Sequence, residues 1–339
     1  MHDDGGRLPR DDRPAVTVII RSQGRATLAE ALASVARQTY PNIDVLVVDA
    51  TGGHHPPLDD HCGAHLLRMV AAGRRLNRPE AANCGLDHAH GEWLIFLDDD
   101  DYFDPPHVAS LVEAAAVHGS RVAYSGTRVQ DDRGLVISVL NQPYGRLELF
   151  NNNYIQMGAA LFHRSLIDLG CRFDESMLLY QDWDFWLQLA AHEAFAHTGT
   201  VTTNWRAHIG RSGAGAGPNA DPALQMRFGG RMREKWGGVR HRLVAYLGKV
   251  ARHATWLISH RRSQRAVQIL TAALVLAPDD PGLLNLLGIA CFHAGHLRDA
   301  WRFISMAHRV LPDNGSIRRN LAMVERAQSG APTASGGRS

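Results

Sequence analysis

The sequence predicts an α/β fold, a mixed sheet flanked by helices, followed by an all-α domain of helical repeats. Three observations carry this. Short apolar, β-branched runs alternate with helical segments over the first hundred residues, the pattern of strands joined by helical crossovers. A Gly/Ala/Pro-rich stretch, Ser212 to Asp221, then breaks regular structure. Beyond about Val250 the chain turns helical and repeats itself. Ala266, Ala273 and Pro278 return as Ala300, Ala307 and Pro312, each 34 residues later. That period with small residues at those places is the tetratricopeptide pattern.

The elements follow in order. Residues 1–13 are polar and charged and are expected to be disordered. The α/β domain is expected over 14–222, a basic helical connector over 223–249, tetratricopeptide-like repeats over 250–330, and a disordered tail over 331–339. Val16 to Ile20 reads as a buried strand. Thr27 and Glu30 form a capping-box pattern ahead of a helix whose Leu28, Leu32 and Val35 share a face. Ile43 to Val48, Leu66 to Val70 and Trp93 to Leu97 read as further strands, with a helix over Ala81 to Ala89. Val122 to Val129 and Leu135 to Val139 flank Asp131-Asp132-Arg133-Gly134, a hairpin signal. Ala159 to Phe162 is a strand and Asp182 to Ala191 an aromatic-rich helix. Leu284, Leu287, Gly288 and Cys291 fill the first helix of the second repeat, and Ser316 to Ala327 caps the array.

Composition narrows the function. With 339 residues, 45% hydrophobic and 21% charged, the chain can bury a sizeable core. The formal net charge of +2 supplies no global field for nucleic acid. Four well-separated cysteines, no signal-peptide pattern and no apolar run near the roughly 18 residues of a membrane span point to a cytoplasmic protein. His54, His55, His61, Cys62 and His65 lie close together, but Pro56-Pro57 interrupts them and their spacing matches no standard zinc site.

The sharpest chemical feature is Asp98-Asp99-Asp100-Asp101, directly after an apolar strand. Four adjacent carboxylates repel one another and need compensation. Side chains alternate along extended backbone, so Asp98 and Asp100 can face one way. Two carboxylates on one face suit a hard cation, Mn2+ or Mg2+, beside phosphate oxygens. The competing reading is a solvated acidic turn.

The ordered set of segments resembles the nucleotide-binding half of the family 2 inverting glycosyltransferases, whose fold is called GT-A. The motifs are Gln38-Thr39-Tyr40-Pro41, Asp49, Asn83-Cys84-Gly85-Leu86, Gly91-Glu92 and Asp98-Asp99-Asp100. The second half is similar as well, with Gln181-Asp182-Trp183-Asp184 matching a Glu-Asp pair on a helix, and Trp205-Arg206-Ala207-His208 matching a Tyr-Arg-x-His element. The resemblance runs from about Pro14 to Ser212. It implies a nucleotide-diphosphate sugar donor and an acceptor hydroxyl, in surface polysaccharide or glycoconjugate synthesis. Ser22, Asp49, Arg78, Asn83, Asp98 and Asp99 would hold the nucleotide sugar, with Asp49 on the base and Asp98 on the ribose or metal. Asp100 would be the principal metal ligand, His208 a further one or a diphosphate contact, and Asp182 the general base. Asp184 competes for the last role, and Asp182 could instead serve as a helix cap.

The sequence departs from the family where Arg21-Ser22-Gln23-Gly24 replaces Pro-Thr-Tyr-Asn, where Asp49-Ala50-Thr51-Gly52 replaces Asp-Asp-Gly-Ser, and where Gln181 replaces Glu. Two rival functions follow: an inactive GT-A-like scaffold working through its repeats, and a sugar-nucleotide pyrophosphorylase. The second wants a Gly-rich basic phosphate loop after the first strand, and "RSQGRAT" has one glycine. The acceptor is open among carbohydrate, lipid-linked and protein. The repeats point to a protein partner, and the basic stretch 223–265, with Trp236, Tyr246 and Trp256 interleaved, to peripheral contact with the inner membrane face or with an anionic acceptor.

Overall fold

A computed structural model describes residues 13–207, 221–278 and 280–329. His208, most of the Gly/Ala/Pro-rich stretch Ser212 to Asp221, most of the N-terminal stretch and the residues from 330 onward lie outside the described residues.

The chain divides into two compact units, Met1–Gln142 with Asn153–Glu234, and Pro143–Asn152 with Lys235–Ser339. The first is built on one ten-stranded sheet. At its centre β1 (Val16–Ser22) lies between β2 (Ile43–Asp49) and β5 (Trp93–Asp98), parallel to both. Every residue of β1 is buried, because helices cover parallel strands on both faces and their sequences become continuous apolar runs. On the β2 side β4 (His65–Ala71) pairs parallel and β3 (His61–Cys62) forms the edge. On the β5 side the sheet turns mixed. Strand β9 (Ala160–His163) runs antiparallel to both β5 and β7 (Val122–Gln130). Strand β10 (Ala196–Arg206) follows parallel to β7, and β6 (Tyr102–Phe103) ends the path antiparallel to it. The expected hairpin partner is β8 (Val136–Leu140).

Helices α1 (Leu28–Ala36), α2 (Arg78–His88) and α3 (His107–His118) connect these strands. Short turns α4 (Arg146–Leu149) and α5 (Ser165–Asp168) follow, then α6 (Gln181–His192). The capping box expected at Thr27 and Glu30 does not form. Thr27 has helical dihedrals and its Oγ1 is buried without a partner, while Glu30 accepts from Arg206 Nη2 at 2.5 Å. The reciprocal box is made at Asn77 and Glu80 instead, so α2 starts three residues earlier than its apolar pattern indicates.

Strand register matters for the site. Ser22 lies opposite Asp49, and Arg21 opposite Asp98, so the ends of β1, β2 and β5 reach one level. Ligands of open α/β sheets bind outside the carboxyl ends of strands. Gly85 allows α2 to approach them, since a Cβ there would collide with Ile19 Cγ2, a side chain fully buried in β1. Gly85→Ala is therefore expected to destabilise the fold by about 1–3 kcal/mol, the usual overpacking cost. Urea unfolding followed by circular dichroism checks this, and an unchanged midpoint would contradict it.

The second unit is helical. The long α7 (Pro222–Ser259) passes from the first unit into it, followed by α8 (Ser263–Leu274), α9 (Pro281–His293), α10 (Leu297–Val310) and α11 (Gly315–Gln328). The repeating small residues Ala266, Ala273, Ala300 and Ala307 are all completely buried, and a Cβ at Gly288 would strike Ile304. Small side chains thus set how closely α9 and α10 pack. Leu147 and Phe150 of the short segment Pro143–Asn152 join this core, with Phe150 6.3 Å from the Trp236 ring. Nothing in the sequence pattern marked that segment as part of the helical unit.

Candidate active site

Strand β5 ends at Asp98, and the backbone turns through Asp99 and Asp100, with Asp101 N–H donating to the Asp98 carbonyl at 3.1 Å. This turn, rather than alternation along an extended strand, brings Asp98 and Asp100 together, and it adds Asp101. Ligand oxygens of Asp98, Asp100 and Asp101 lie within 4.8 Å of one another, the one such acidic, histidine or cysteine group found among the described residues. Asp99 turns back into the protein. It accepts from Ser22 Oγ at 3.1 Å, Gln23 N–H at 2.7 Å and Arg25 Nη1 at 3.1 Å.

Three arginines compensate the carboxylates. Arg21, nearly buried, donates from Nε and Nη2 to Asp98 at 2.8 and 2.5 Å. Arg25, with 41% of its side chain exposed, pairs with both Asp99 and Asp100. Arg206 arrives on β10. Its N–H donates to Asp101 at 2.9 Å, Nη1 reaches the Asp100 carbonyl at 3.5 Å, and the guanidinium lies 5.3 Å over the Tyr102 ring. Asp101 also accepts from Gln156 Nε2 at 2.8 Å. Burial pushes the Asp101 carboxyl well above the usual carboxylate range, and the charges of Asp100 and Asp98 add to this.

The other expected donor residues sit nearby in different states. Asp49 is buried at the end of β2. It accepts from Thr51 N–H and Oγ1 at 2.7 and 2.6 Å and from Gly53 N–H at 3.0 Å. Burial raises its carboxyl, but these hydrogen bonds and the charge of His55 together bring it below its ordinary value. Ser22 Oγ also meets His55 Nε2 at 2.8 Å. Arg78 opens α2, and its carbonyl accepts from Arg21 Nη1 at 3.4 Å. Asn83 faces another way. Its amide clamps the Phe173 backbone through two hydrogen bonds of 2.9 and 3.0 Å and reaches Glu175 at 3.0 Å.

Asp182 is the second residue of α6 and is half-buried. Its oxygens accept from Trp183 N–H at 2.8 Å and Asn153 Nδ2 at 3.1 Å. Burial raises its carboxyl, opposed by those two donors and by the charge of Arg21. Arg21 thus acts on both Asp98 and Asp182. Tyr180, just before the helix, has φ of +61°, a left-handed conformation costly for a tyrosine. Asp184 is completely buried, and its Oδ2 accepts from Gln188 at 2.8 Å. Trp186 is core, donating to the Ile155 carbonyl at 3.0 Å, whereas Trp183 is half-buried against Tyr180. The histidine and cysteine set around residues 54–65 does not converge: Cys62 is buried and donates to the Leu32 carbonyl, and His61 turns to Asp60.

Sequence reasoning missed Arg21, Arg25, Asp101, Gln156 and Arg206 as members of the site. The signal for the first two was present: cations in the segment that departs from the family pattern must answer the charge of a four-carboxylate turn.

Residues 16–169 match the model of glycosyl transferase family 2, the segment that forms most of the mixed sheet. YwdF of Bacillus subtilis, described as an uncharacterized glycosyltransferase, is 26% identical over 185 residues, covering 52% of this chain and 68% of that protein. The succinoglycan biosynthesis protein ExoO of Rhizobium meliloti is 25% identical over 190 residues, with 51% and 55% covered. The amylovoran biosynthesis glycosyltransferase AmsB of Erwinia amylovora is 28% identical over 164 residues, with 43% and 54% covered. The alignments thus span little more than half the length of the latter two. Among solved structures, S. aureus TarS 1–349 in complex with UDP-GlcNAc superposes with a TM-score of 0.51 at 14% identity, covering 94% of this chain and 92% of that one. That likeness is one of fold: the GT-A mixed sheet with flanking helices, followed by a helical region. Among the described residues no helix is long and apolar enough to cross a membrane.

Proposed function

We propose that this chain is a metal-dependent inverting glycosyltransferase that moves a sugar from a nucleotide-diphosphate sugar to an acceptor hydroxyl in polysaccharide or glycoconjugate synthesis. The observation that carries the reading is the convergence of the Asp98, Asp100 and Asp101 carboxylates at the end of β5, where ligand oxygens lie within 4.8 Å of one another. The names of ExoO and AmsB support polysaccharide synthesis, and the UDP-GlcNAc complex of TarS supports a nucleotide-sugar donor.

The donor set of the turn fits a hard divalent cation, because it is all carboxylate oxygen and within ligand reach. Asp98 and Asp100 would hold Mn2+ or Mg2+, since the oxygens of Asp101 already serve Gln156 and the Arg206 backbone. Such a cation, when bound, neutralises charge on the departing diphosphate. Arg25, half in solvent beside Asp100, is placed to pair with the same phosphates. Asp182, ionised, takes the acceptor hydroxyl proton as that oxygen bonds to the anomeric carbon and the carbon–phosphate-oxygen bond breaks. A single displacement inverts the anomeric configuration, through an oxocarbenium-like transition state. Trp183 N–H and Asn153 fix both oxygens of Asp182 for that transfer. Asp49 anchors the 49–53 turn at the donor end of the site. Residues 250–330 form tetratricopeptide-like repeats that engage a partner protein or the acceptor rather than do chemistry.

A thermal-shift screen of UDP-, GDP- and dTDP-sugars, each with and without Mn2+, tests the reading. A ligand of the native state at about 100 times its Kd adds roughly 2.7 kcal/mol of stability. One nucleotide class should raise the melting temperature, and more so with metal. No shift with any sugar nucleotide would overturn the proposal.

A further inference from the structure

We infer that the outward face of the second half of α7, continued into the start of α8, is a docking surface for a polyanionic glycan, the acceptor chain of the transfer proposed above. The identity of the bound chain as acceptor rests on that proposal, but the surface does not.

The observation is one of charge and periodicity. From Lys235 to Arg265 the chain has eight lysine and arginine residues and no aspartate or glutamate. The helix is amphipathic here. Leu243, Leu247, Ala254 and Leu257 are buried in the helical core, while Arg242, Lys249, Arg252 and Trp256 are exposed on the opposite side at spacings of seven, three and four. Arg242, Lys249 and Arg252 make no ion pair among the described residues. Like charges three residues apart on a helix repel one another, so Lys249 and Arg252 weaken the free helix that an anion would stabilise.

The chemistry of the occupant follows from shape. At 1.5 Å per residue, Arg242 and Trp256 stand roughly 21 Å apart along the axis. No single phosphate or carboxylate touches both ends, whereas a linear polymer with repeated anionic groups does. At the C-terminal end of the stripe is an aromatic stack: Trp256, 46% exposed, has the His253 ring 5.9 Å away and the His260 ring 4.3 Å away, inclined to it by 14° and 27°, and Arg262 5.9 Å from its centroid. Imidazole and guanidinium groups packed against a half-exposed indole set hydrogen-bond donors for sugar hydroxyls beside an apolar surface. A bilayer is the poorer match. Anchoring there needs contiguous apolar area, and the large apolar side chains this stretch exposes, Val244, Tyr246 and Trp256, are interspersed with cations rather than contiguous.

The test uses the full-length protein and four probes: polygalacturonate, neutral dextran, phosphatidylglycerol–phosphatidylcholine vesicles and a 20-nucleotide RNA. Binding is read by isothermal titration calorimetry for the soluble probes and cosedimentation for vesicles, at low and high salt. The expected result is binding of polygalacturonate but not dextran, weakened by salt because the cations are exposed. The triple variant Lys249→Gln/Arg252→Gln/Arg262→Gln should bind it about tenfold more weakly, with donor hydrolysis in the absence of acceptor unchanged. Undiminished binding by the variant, equal binding of dextran, tighter binding of vesicles or RNA, or no binding to any probe would each overturn the inference. A protein that binds polygalacturonate yet turns over no nucleotide sugar would refute the transferase reading and leave the surface standing.

Discussion

Asp182→Asn is expected to lower transfer by about 10²–10⁴-fold with donor affinity nearly unchanged. The amide keeps the size of the carboxylate and can still accept from Trp183 N–H, so the start of α6 stays in place. What it loses is the capacity to take a proton. The pH profile gives an independent reading. Burial raises the Asp182 carboxyl, and Trp183, Asn153 and Arg21 oppose this without cancelling it. The base works only when ionised. As pH falls, the wild-type rate should therefore begin to drop at a higher pH than an ordinary aspartate would give, and this acid limb should vanish from the residual activity of the variant. Asp184→Asn gives the control. Asp184 is completely buried and held by Gln188, so its substitution should disturb stability before chemistry. Kinetics of nucleotide release across pH 4–9, an interval spanning the carboxylate and imidazole ranges, measure all three proteins. A drop smaller than about tenfold for Asp182→Asn, or a larger loss of activity in correctly folded Asp184→Asn, would move the base elsewhere.

Much of the sheet was legible because its central strands are buried on both faces. Val16 to Ile20, Ile43 to Val48 and Trp93 to Leu97 each read as strands, and each is longer in the structure by one or two polar residues. Those extra residues, Arg21, Ser22, Asp49 and Asp98, are the ones that reach the site. Apolar periodicity finds the core of a strand and stops where function begins, since its end is polar. The candidate site was legible as a set of acids, not as a geometry. Asp98 and Asp100 meet through a turn that alternation does not describe, and Asp99 is withdrawn by Ser22 and the Gln23 backbone. The cations were illegible for a different reason. Arg21, Arg25 and Arg206 are separated from their partners by about 75 to 105 residues of chain, and only the parallel pairing of β1 with β5 and the placement of β10 beside β6 bring them together. Local capping failed in the same way at Thr27, where Glu30 was captured by Arg206 from across the fold. Tertiary pairing overrides a box that is worth about 1 kcal/mol.

Asp100→Ala is expected to remove both turnover and the metal dependence of nucleotide binding. Loss of a cation's charge stabilisation in the transition state is worth several kcal/mol, so about 10³-fold or more in rate. The substitution is also informative because the four acids are not equivalent. Asp99 is buried and holds Ser22, the Gln23 N–H and Arg25, so Asp99→Ala should first loosen the loop after β1 and lower the melting temperature. Asp101 holds Gln156 and β10, and its loss should likewise be structural. Asp100 is paired with Arg25, whose guanidinium is partly in solvent, so removing the carboxylate strands no buried charge. The protein should fold, and a circular dichroism melt close to wild type establishes that first. Mn2+ titrations followed by nucleotide release then separate the possibilities. If turnover with Mn2+ survives in folded Asp100→Ala, the acidic turn is not the metal centre. If turnover is lost but Mn2+ still tightens nucleotide binding as in the wild type, Asp98 rather than Asp100 is the principal ligand. Loss of both, with Asp99→Ala retaining metal-dependent turnover at a lower melting temperature, is the pattern the geometry of this turn requires.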